Sequence, residues 1–154
     1  MPADAESIES LYAELVHDSA VKVLPERIGQ IIRDPNTRLL VAEIDDIVCG
    51  TALLALCNDV MYRDQPFGVV ENIVVSSMVR RVGVGRLLMA QIEAIALETR
   101  CSKIMILSSS SRTQAHCFFE SMGFDSGAKL GFVKYRKSFS RALAELQDTP
   151  SGVL

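Results

Sequence analysis

The stretch from Val69 to Leu88 limits the possible folds more than any other part of this 154-residue chain. Its first residues, VVENIVV, form a nearly continuous β-branched run, which is typical of a strand covered on both faces. The basic turn RRVGVGR follows directly, and apolar residues then recur at helical spacing as far as Thr99. The sequence therefore predicts a strand that passes through a glycine turn into a long amphipathic helix.

The glycine turn has the features of an anion-binding site. Gly83 and Gly85 have no Cβ, so main-chain amides can approach a phosphate oxygen closely. The first turn of the helix leaves its N–H groups unpaired at the positive end of the helix dipole, and Arg80, Arg81 and Arg86 add full charges. A dinucleotide fingerprint would need a third glycine at position 88, and the Gly-Lys-Ser/Thr ending of a P-loop is missing. A well-capped helix with surface arginines is the alternative interpretation.

The remaining segments complete an α/β pattern. The predicted elements are, in order, helices at 4–16 and 25–33, strands at 38–43, 47–57 and 69–75, a helix from 84 to about 100, a strand at 103–107, a helix at 112–122, a strand at 131–138 and a helix at 140–148. The strand-helix-strand from Val69 to Leu107 predicts two parallel neighbours in an otherwise antiparallel, twisted sheet. The length, without repeats or an interdomain linker, indicates a single domain over residues 1–154.

Charge and composition exclude several classes of protein. The net charge is −3, so nucleic acid is not expected as a partner. The acidic N-terminus is not a signal peptide and no apolar run could span a bilayer, so we expect a cytoplasmic protein with no membrane partner. The four cysteines lack a C-x-x-C pair and the two histidines lie far apart, which predicts neither a metal site nor a disulfide framework.

Two motifs follow one another along the chain. The first is Ile73-Val74-Val75, a short spacer, and Arg80-x-x-Gly83-x-Gly85 before Leu87-Leu88; the second is Ala115-x-x-Phe118-Phe119-x-x-x-Gly123-Phe124. Together they resemble the motifs of the GNAT family of N-acetyltransferases. The resemblance covers residues 38–138 and implies a mixed, mostly antiparallel sheet with a parallel central pair splayed at a bulge and flanked by helices. Members of the family usually begin with a strand, whereas this sequence predicts a helix from Asp4, so we expect either that the first strand is absent or that the sequence begins after it. The runs at 33–36 and 112–116 are similar to small-molecule acetyltransferases of the aminoalkylphosphonate type.

The resemblance implies a position for acetyl-CoA. Its pantetheine arm would enter the gap between the strand at 70–75 and the strand at 103–107, and its pyrophosphate would rest on the amides of residues 81–86. A main-chain amide at Val74 or Val75 would donate to the thioester carbonyl. The implied cofactor-binding residues are Ile73, Val74, Val75, Arg80, Arg81, Val82, Gly83, Val84, Gly85, Arg86, Ser108, Ala115, Phe118 and Phe119.

Transfer to an amine requires that the amine be neutral when it attacks. Glu71 is the leading candidate for the base, because a carboxylate in an apolar strand should bind protons more tightly than one in water. A structural or substrate-orienting carboxylate is the alternative, and His116 is a second candidate base. Where the family often has a tyrosine acid, this chain has Phe119, so Tyr135 becomes the candidate acid and Tyr62 its alternative. A thiol can also leave largely unassisted.

The expected activity is therefore acetyl transfer from acetyl-CoA to a primary amine by direct attack in a ternary complex. Tyr62, Arg63 and Asp64, together with the first two helices, should form a mixed-charge mouth that suits a small-molecule acceptor. A protein or peptide N-terminus is an alternative acceptor. A catalytically weak acyl-CoA-binding sensor or interaction module is the rival from another class. The resemblance also suggests a homodimer through the final strands.

Overall fold

The structure is a computed structural model that describes residues 1–139. The chain divides into two compact units, Met1–Phe124 and a second that begins at Asp125. The helices and strands of the first unit are, in order, α1 (Ala5–Val16), α2 (Pro25–Arg33), β1 (Thr37–Ile44), β2 (Ile47–Cys57), β3 (Phe67–Val75), α3 (Val84–Glu98), β4 (Ile104–Ile106) and α4 (Thr113–Ser121). The helix predicted at 140–148 lies outside the described residues.

The four strands form one mixed sheet in the order β1-β2-β3-β4. β1 pairs antiparallel with β2, β2 pairs antiparallel with β3, and β3 pairs parallel with β4, so the predicted mixed sheet is confirmed. The acidic hairpin turn places Asp45 and Asp46 at φ of 50° and 61°, which matches the right-handed twist of the strands it joins. A short 3₁₀ turn, not a strand, precedes α1.

Each face of the sheet carries its own helices. α3 covers one face, where the buried residues are Ala52, Leu54, Leu56, Val70, Met89 and Ile92. α1 and α2 cover part of the other face, where Ala5, Ile8 and Ile28 pack with Leu39 and Val41. Burial of each large side chain contributes roughly 1.5–3 kcal/mol, so these clusters hold the helices against the sheet. Among residues 1–139, no helix is both long and apolar enough to cross a bilayer.

The strand predicted at residues 131–138 is wrong. The described part of the second unit contains no strand, and its regular element is a 3₁₀ turn at Arg136–Ser138. Phe132 is 90% exposed and Tyr135 is 68% exposed. Alternation predicts a strand only when one set of side chains is apolar and can be buried. Here each of the two alternating sets contains lysine or arginine, so neither can form a buried face.

Candidate functional site

A β-bulge interrupts β3 two-thirds of the way along the strand. Leu53 pairs with Glu71, but two residues back along β2 Thr51 pairs with Val74, so β3 contains one extra residue between these pairs. Asn72 has φ of +53°, in the left-handed region that asparagine tolerates better than most residues. The bulge places both Glu71 and Asn72 in contact with solvent, within an otherwise apolar strand.

β3 and β4 pair only before the bulge. Gly68, Val69 and Val70 pair with Ile104, Met105 and Ile106, and the pairing ends there. The last part of β3, residues 71–75, therefore has no strand on its β4 side within the described part of the chain. This unpaired edge of β3 borders the gap, after the end of β4, in which the family resemblance places the pantetheine arm.

The main chain of Val75 faces this gap. The amide of Ser76 donates to the carbonyl of Cys49 on β2 at 2.8 Å, and the carbonyl of Val75 in the same peptide therefore points away from β2. The N–H and C=O of one strand residue point to the same side, so both polar groups of Val75 point toward the gap, whereas those of Val74 point toward β2. An extended ligand in the gap could pair with Val75 as a strand would.

The glycine turn leads into α3, whose N-terminus has no side-chain cap. Gly83 is the N-cap of α3, with φ of +99° and no side-chain cap. The amides of Val84, Gly85 and Arg86 donate no hydrogen bond to any described residue. The first helical hydrogen bond runs from the Leu87 amide to the Gly83 carbonyl at 3.0 Å. Unpaired amides at the positive end of a 15-residue helix can bind an anion, which is the role that the sequence analysis predicts for this turn.

The two glycines of the motif are there for different reasons. At Gly83 an added Cβ would meet no atom within 4 Å, so its positive φ explains the glycine. At Gly85 an added Cβ would lie 3.3 Å from Cζ of Phe118, so the glycine lets α4 pack against α3. Gly50 on β2 has a related role, because a Cβ there would lie 3.0 Å from Cγ1 of Val84. This close approach of β2 and α3 was not anticipated from the sequence.

The three arginines around the turn have different partners. Arg80 donates from Nη2 to Oε1 of Glu14 at 2.6 Å and from Nε to the Val75 carbonyl at 3.4 Å. Arg86 lies beside the end of α4, with Nη2 3.5 Å from Oγ of Ser121. The guanidinium of Arg81 has no partner among the described residues and is exposed, as is Val82. Arg81 is therefore the arginine most available to a phosphate.

α4 presents the second motif to the core. Phe119 is only 6% exposed and packs against Phe118 and Phe124, with ring centroids 5.5 Å and 6.2 Å apart. Phe118 and Ala115 are half-buried. Of the two phenylalanines expected to contact the cofactor, Phe118 has the greater accessible surface.

The serine segment after β4 contains an unsatisfied hydroxyl. Oγ of Ser108 is inaccessible to solvent and has no hydrogen-bond partner among the described residues. His116, the second candidate base, lies with Nε2 3.0 Å from the carbonyl of Ser109 and so helps to hold this segment against α4. A buried hydroxyl without a partner is unusual, and that of Ser108 lies two residues after the end of β4, on the segment that the resemblance places beside the cofactor.

Glu71 is exposed, which contradicts the reason given for choosing it as the base. The bulge, which the apolar sequence around Glu71 conceals, turns this residue to solvent instead of burying it. Paired strand residues point to the same face, so Glu71 lies with Leu53 and Leu39 on the face of the sheet that carries α1 and α2. Glu71 is thus next to the bulge and on the opposite face from α3.

Tyr12 of α1 reaches the bulge from this second face. Burial raises the pKa of Tyr12, and hydrogen bonding with the side chains of Thr51 and Asn72 opposes the rise. The phenol therefore stays protonated at neutral pH and can donate a hydrogen bond. Neither Tyr12 nor Asn72 was singled out from the sequence, although two adjacent polar residues in the run VVENIVV were a signal for a bulge.

The candidate acids have different surroundings. Tyr135 belongs to the second unit and is 68% exposed, without the strand that was expected to position it. Tyr62 is 59% exposed in the loop between β2 and β3. In the same loop Asp64 forms a salt bridge with Arg100 at 2.7 Å, which ties the loop to the end of α3. A separate cavity of about 350 Å³ lies between the end of α2 and the start of β1, and none of the predicted site residues line it.

Comparisons with known proteins agree with this geometry. The sequence profile of the acetyltransferase (GNAT) family matches residues 5–124. No curated protein sequence gives a significant match.

Several solved structures share the fold. A protein of Agrobacterium tumefaciens str. C58 that carries the name acetyltransferase is 24% identical, with a TM-score of 0.80 and coverage of 88% of this chain and 96% of that one. An aminoglycoside acetyltransferase from an uncultured soil metagenomic sample is 13% identical, with a TM-score of 0.77 and coverage of 87% and 88%. The ribosomal-protein-alanine N-acetyltransferase of Brucella melitensis biovar Abortus 2308 is 16% identical, with a TM-score of 0.69 and coverage of 87% and 94%.

Proposed function

The chain belongs to the acetyltransferase (GNAT) family, whose members generally use acetyl-CoA, and on this basis we propose that it acetylates a primary amine of a small molecule by direct attack in a ternary complex. One observation carries the proposal. Among the described residues, no strand lies on the β4 side of residues 71–75 of β3, and the chain runs from this open edge through the loop at 76–83 to the uncapped N-terminus of α3. An extended arm that ends in a diphosphate fits such a continuous site.

The residues present suit acetyl-CoA as co-substrate. The amides of residues 81–86 and the guanidinium of Arg81 would hold the diphosphate, because these donors have no hydrogen-bond partner among the described residues. The main chain of Ile73 and Val75 would pair with the pantetheine amides, with Ser108 and Phe118 along the arm. Arg80 and Arg86 contribute charge, although each already has a protein partner.

Val75 is the better candidate to donate to the thioester carbonyl. Its amide points toward the gap, whereas the amide of Val74 points toward β2. A preorganised main-chain donor stabilises the negative charge that develops on that oxygen during attack, and such a donor typically contributes about 2.7–4 kcal/mol. The amine attacks the carbonyl carbon, the bond to sulfur breaks, and the products are the amide and the CoA thiol.

Glu71 would accept the proton from the ammonium form of the acceptor. The position of Glu71 supports this role: it lies beside the bulge, it is exposed, and it is on the face of the sheet that carries α1 and α2. An exposed carboxylate can bind the ammonium group and pass its proton to water. The departing thiolate needs no acid with a matched pKa, because a thiol ionises close to neutral pH. Tyr135 and Tyr62 stay candidate donors to it.

The acceptor is proposed from the surroundings of Glu71. The half-buried apolar residues beside Glu71 and the mixed charges of the loop at 58–66 suit a compact amine. The similar structures include both an aminoglycoside acetyltransferase and a ribosomal-protein-alanine acetyltransferase, so the fold alone does not choose between them. A protein N-terminus is therefore the second candidate acceptor. The likeness to aminoalkylphosphonate acetyltransferases stays a prediction.

A panel of amines tests the function. Purified protein is mixed with acetyl-CoA and polyamines, aminoglycosides, aminoalkylphosphonates or short peptides, and both thiol release and the mass of the acetylated product are measured. We expect at least one small amine to be acetylated, with loss of about tenfold or more in kcat/KM for Glu71→Gln. Glu93→Gln is the control, because Glu93 is an equally exposed carboxylate on α3.

Three results would change the assignment of the function or of the base. Acetyl-CoA binding without turnover of any amine would favour the sensor over the enzyme. Acetylation of the peptides alone would favour the protein acceptor. Equal losses in the two glutamine variants would show that Glu71 acts through its charge on the surface and not as the base.

A further inference from the structure

Glu14, in the last turns of α1, contacts the loop that joins β3 to α3. Its Oε1 accepts a hydrogen bond from the main-chain N–H of Ser77 at 3.0 Å, and its Oε2 lies 3.3 Å from the same amide. Oε1 also accepts from Nη2 of Arg80 at 2.6 Å. One carboxylate from α1 therefore holds two points of a loop more than 60 residues later in the chain.

The loop has few other attachments. The amide of Ser76 donates a hydrogen bond to the carbonyl of Cys49 on β2. In the 3₁₀ turn that follows, the Ser76 side chain accepts from the Met78 amide and the Ser76 carbonyl accepts from the Val79 amide, so these bonds stay within the loop. Arg80 folds back to the Val75 carbonyl, but the distance of 3.4 Å makes this a weak bond. From Arg81 to Gly83, the hydrogen bond that the described chain makes to another element is the one that the Gly83 carbonyl accepts from the Leu87 amide of α3. The positions of the diphosphate-binding amides thus depend on what holds the loop just before them.

The location of Glu14 is unfavourable on electrostatic grounds alone. A carboxylate beside an anion-binding loop repels a diphosphate, so a side chain with no positional role would weaken binding. As a surface ion pair, with side chains 29% and 56% exposed, Glu14 and Arg80 would also contribute little to the free energy of unfolding. The hydrogen bond to the Ser77 amide is the contact that restrains main-chain geometry.

We propose that Glu14 is a positioning residue for the proposed acetyl-CoA site, holding the loop at Ser77 and Arg80 so that the amides of residues 81–86 converge on the diphosphate. The inference rests on the proposed function, since it assumes that this loop binds the diphosphate of acetyl-CoA. It also assigns Arg80 mainly to the loop's structure, leaving Arg81 to contact the ligand.

The sign of the change in affinity tests the proposal. Glu14→Ala removes both the charge and the hydrogen bonds, Glu14→Gln removes the charge and keeps one acceptor oxygen, and calorimetry measures the Kd for acetyl-CoA of each. We expect Kd to rise about tenfold in Glu14→Ala, equivalent to about 1.4 kcal/mol, and less in Glu14→Gln. A purely electrostatic role predicts that both variants bind more tightly, and by the same factor.

Glu9 offers a matched control on the same helix. Its Oε2 accepts from the Val23 amide at 2.9 Å and its Oε1 from Lys22 at 3.1 Å, so it also holds a main-chain N–H and a cation, but in the segment before α2. Glu9→Ala should leave the Kd for acetyl-CoA unchanged. S-acetylpantetheine, which lacks the diphosphate, should bind wild type and Glu14→Ala equally well by NMR titration.

Each other outcome overturns the inference. Unchanged or tighter binding of acetyl-CoA by Glu14→Ala removes the positional role. An equal loss for S-acetylpantetheine, or for Glu9→Ala, shows general damage to the fold. If wild-type protein does not bind acetyl-CoA at all, the proposed function fails first and the inference fails with it; if wild type binds and only the Glu14 result fails, the proposed function stands.

Discussion

Replacement of Gly83 by alanine separates the role of the glycine turn in folding from its role in binding. Gly83 has φ of +99° with no atom within 4 Å of an added Cβ, so the substitution adds backbone strain and no clash. A left-handed conformation costs an L-residue about 1–2 kcal/mol. Gly123, at the end of α4, has φ of +88° and equally open space, so Gly123→Ala carries comparable strain in a turn whose amides are not those proposed to bind the diphosphate.

The two variants should be equally destabilised and differ in ligand binding. We expect both to lower the free energy of unfolding by about 1–2 kcal/mol in urea denaturation. In Gly83→Ala the turn can relieve its strain only by moving the neighbouring amides, and loss of one hydrogen bond to a charged phosphate is worth about 1.5–3 kcal/mol. Its Kd for acetyl-CoA should therefore rise about tenfold or more by calorimetry, while Gly123→Ala binds like wild type.

A Gly83→Ala variant that binds acetyl-CoA as wild type does would refute the assignment of the turn to the diphosphate. Equal loss of affinity in both variants would refute the reasoning differently, because it would trace the effect to stability. Both measurements belong at a temperature where each variant is fully folded, which circular dichroism establishes.

Three further predictions concern the surroundings of the site. Phe119→Ala should lower the free energy of unfolding by about 3–5 kcal/mol in denaturant titrations, because a buried ring leaves a cavity; a loss below 1 kcal/mol would contradict its place in the core. Arg81→Gln should raise KM for acetyl-CoA several-fold, about the effect of one exposed charge, while Arg100→Gln, which also changes an arginine at positive φ, should not. Hydrogen bonds from Thr37 Oγ1 and from the main-chain amide of Asn36 hold the pKa of the Asp34 carboxyl below its ordinary value. The ionised carboxylate therefore contributes its full stabilisation of the folded state at a pH above the ordinary pKa, and this contribution is lost as the pH falls through the lowered pKa. The unfolding free energies of wild type and Asp34→Asn should therefore converge at acid pH, and a constant difference between them would count against this.

The sequence predicts the elements of the first unit well because each rests on local signals. Proline at 25 and the Asp34-Pro35 pair place α2 at its observed bounds, and Asp45-Asp46 place the hairpin turn. The transition from β3 to α3 is equally local, since apolar β-branched residues, two glycines and a helical repeat follow one another without a gap.

What the sequence could not predict depends on pairing between distant residues. The bulge at Asn72 is a property of two strands, and it exposes Glu71 although its neighbours are apolar. The reason for Gly85 is Phe118, which lies in another helix. The strand predicted around Tyr135 is wrong because the prediction used a local alternation of side chains, and alternation alone does not supply a neighbouring strand to pair with. The positions of ligand-binding groups thus depend more on these long-range contacts than the secondary structure does.

The central claim is that one continuous site, from the open edge of β3 to the N-terminus of α3, holds acetyl-CoA. A crystal structure of the wild-type protein with CoA tests this claim most directly. The account predicts the diphosphate within hydrogen-bond distance of the amides of residues 81–86, and the pantetheine arm paired with the main chain of Val75. A CoA molecule that is bound elsewhere, and that leaves the space between β3 and β4 empty, would contradict this claim.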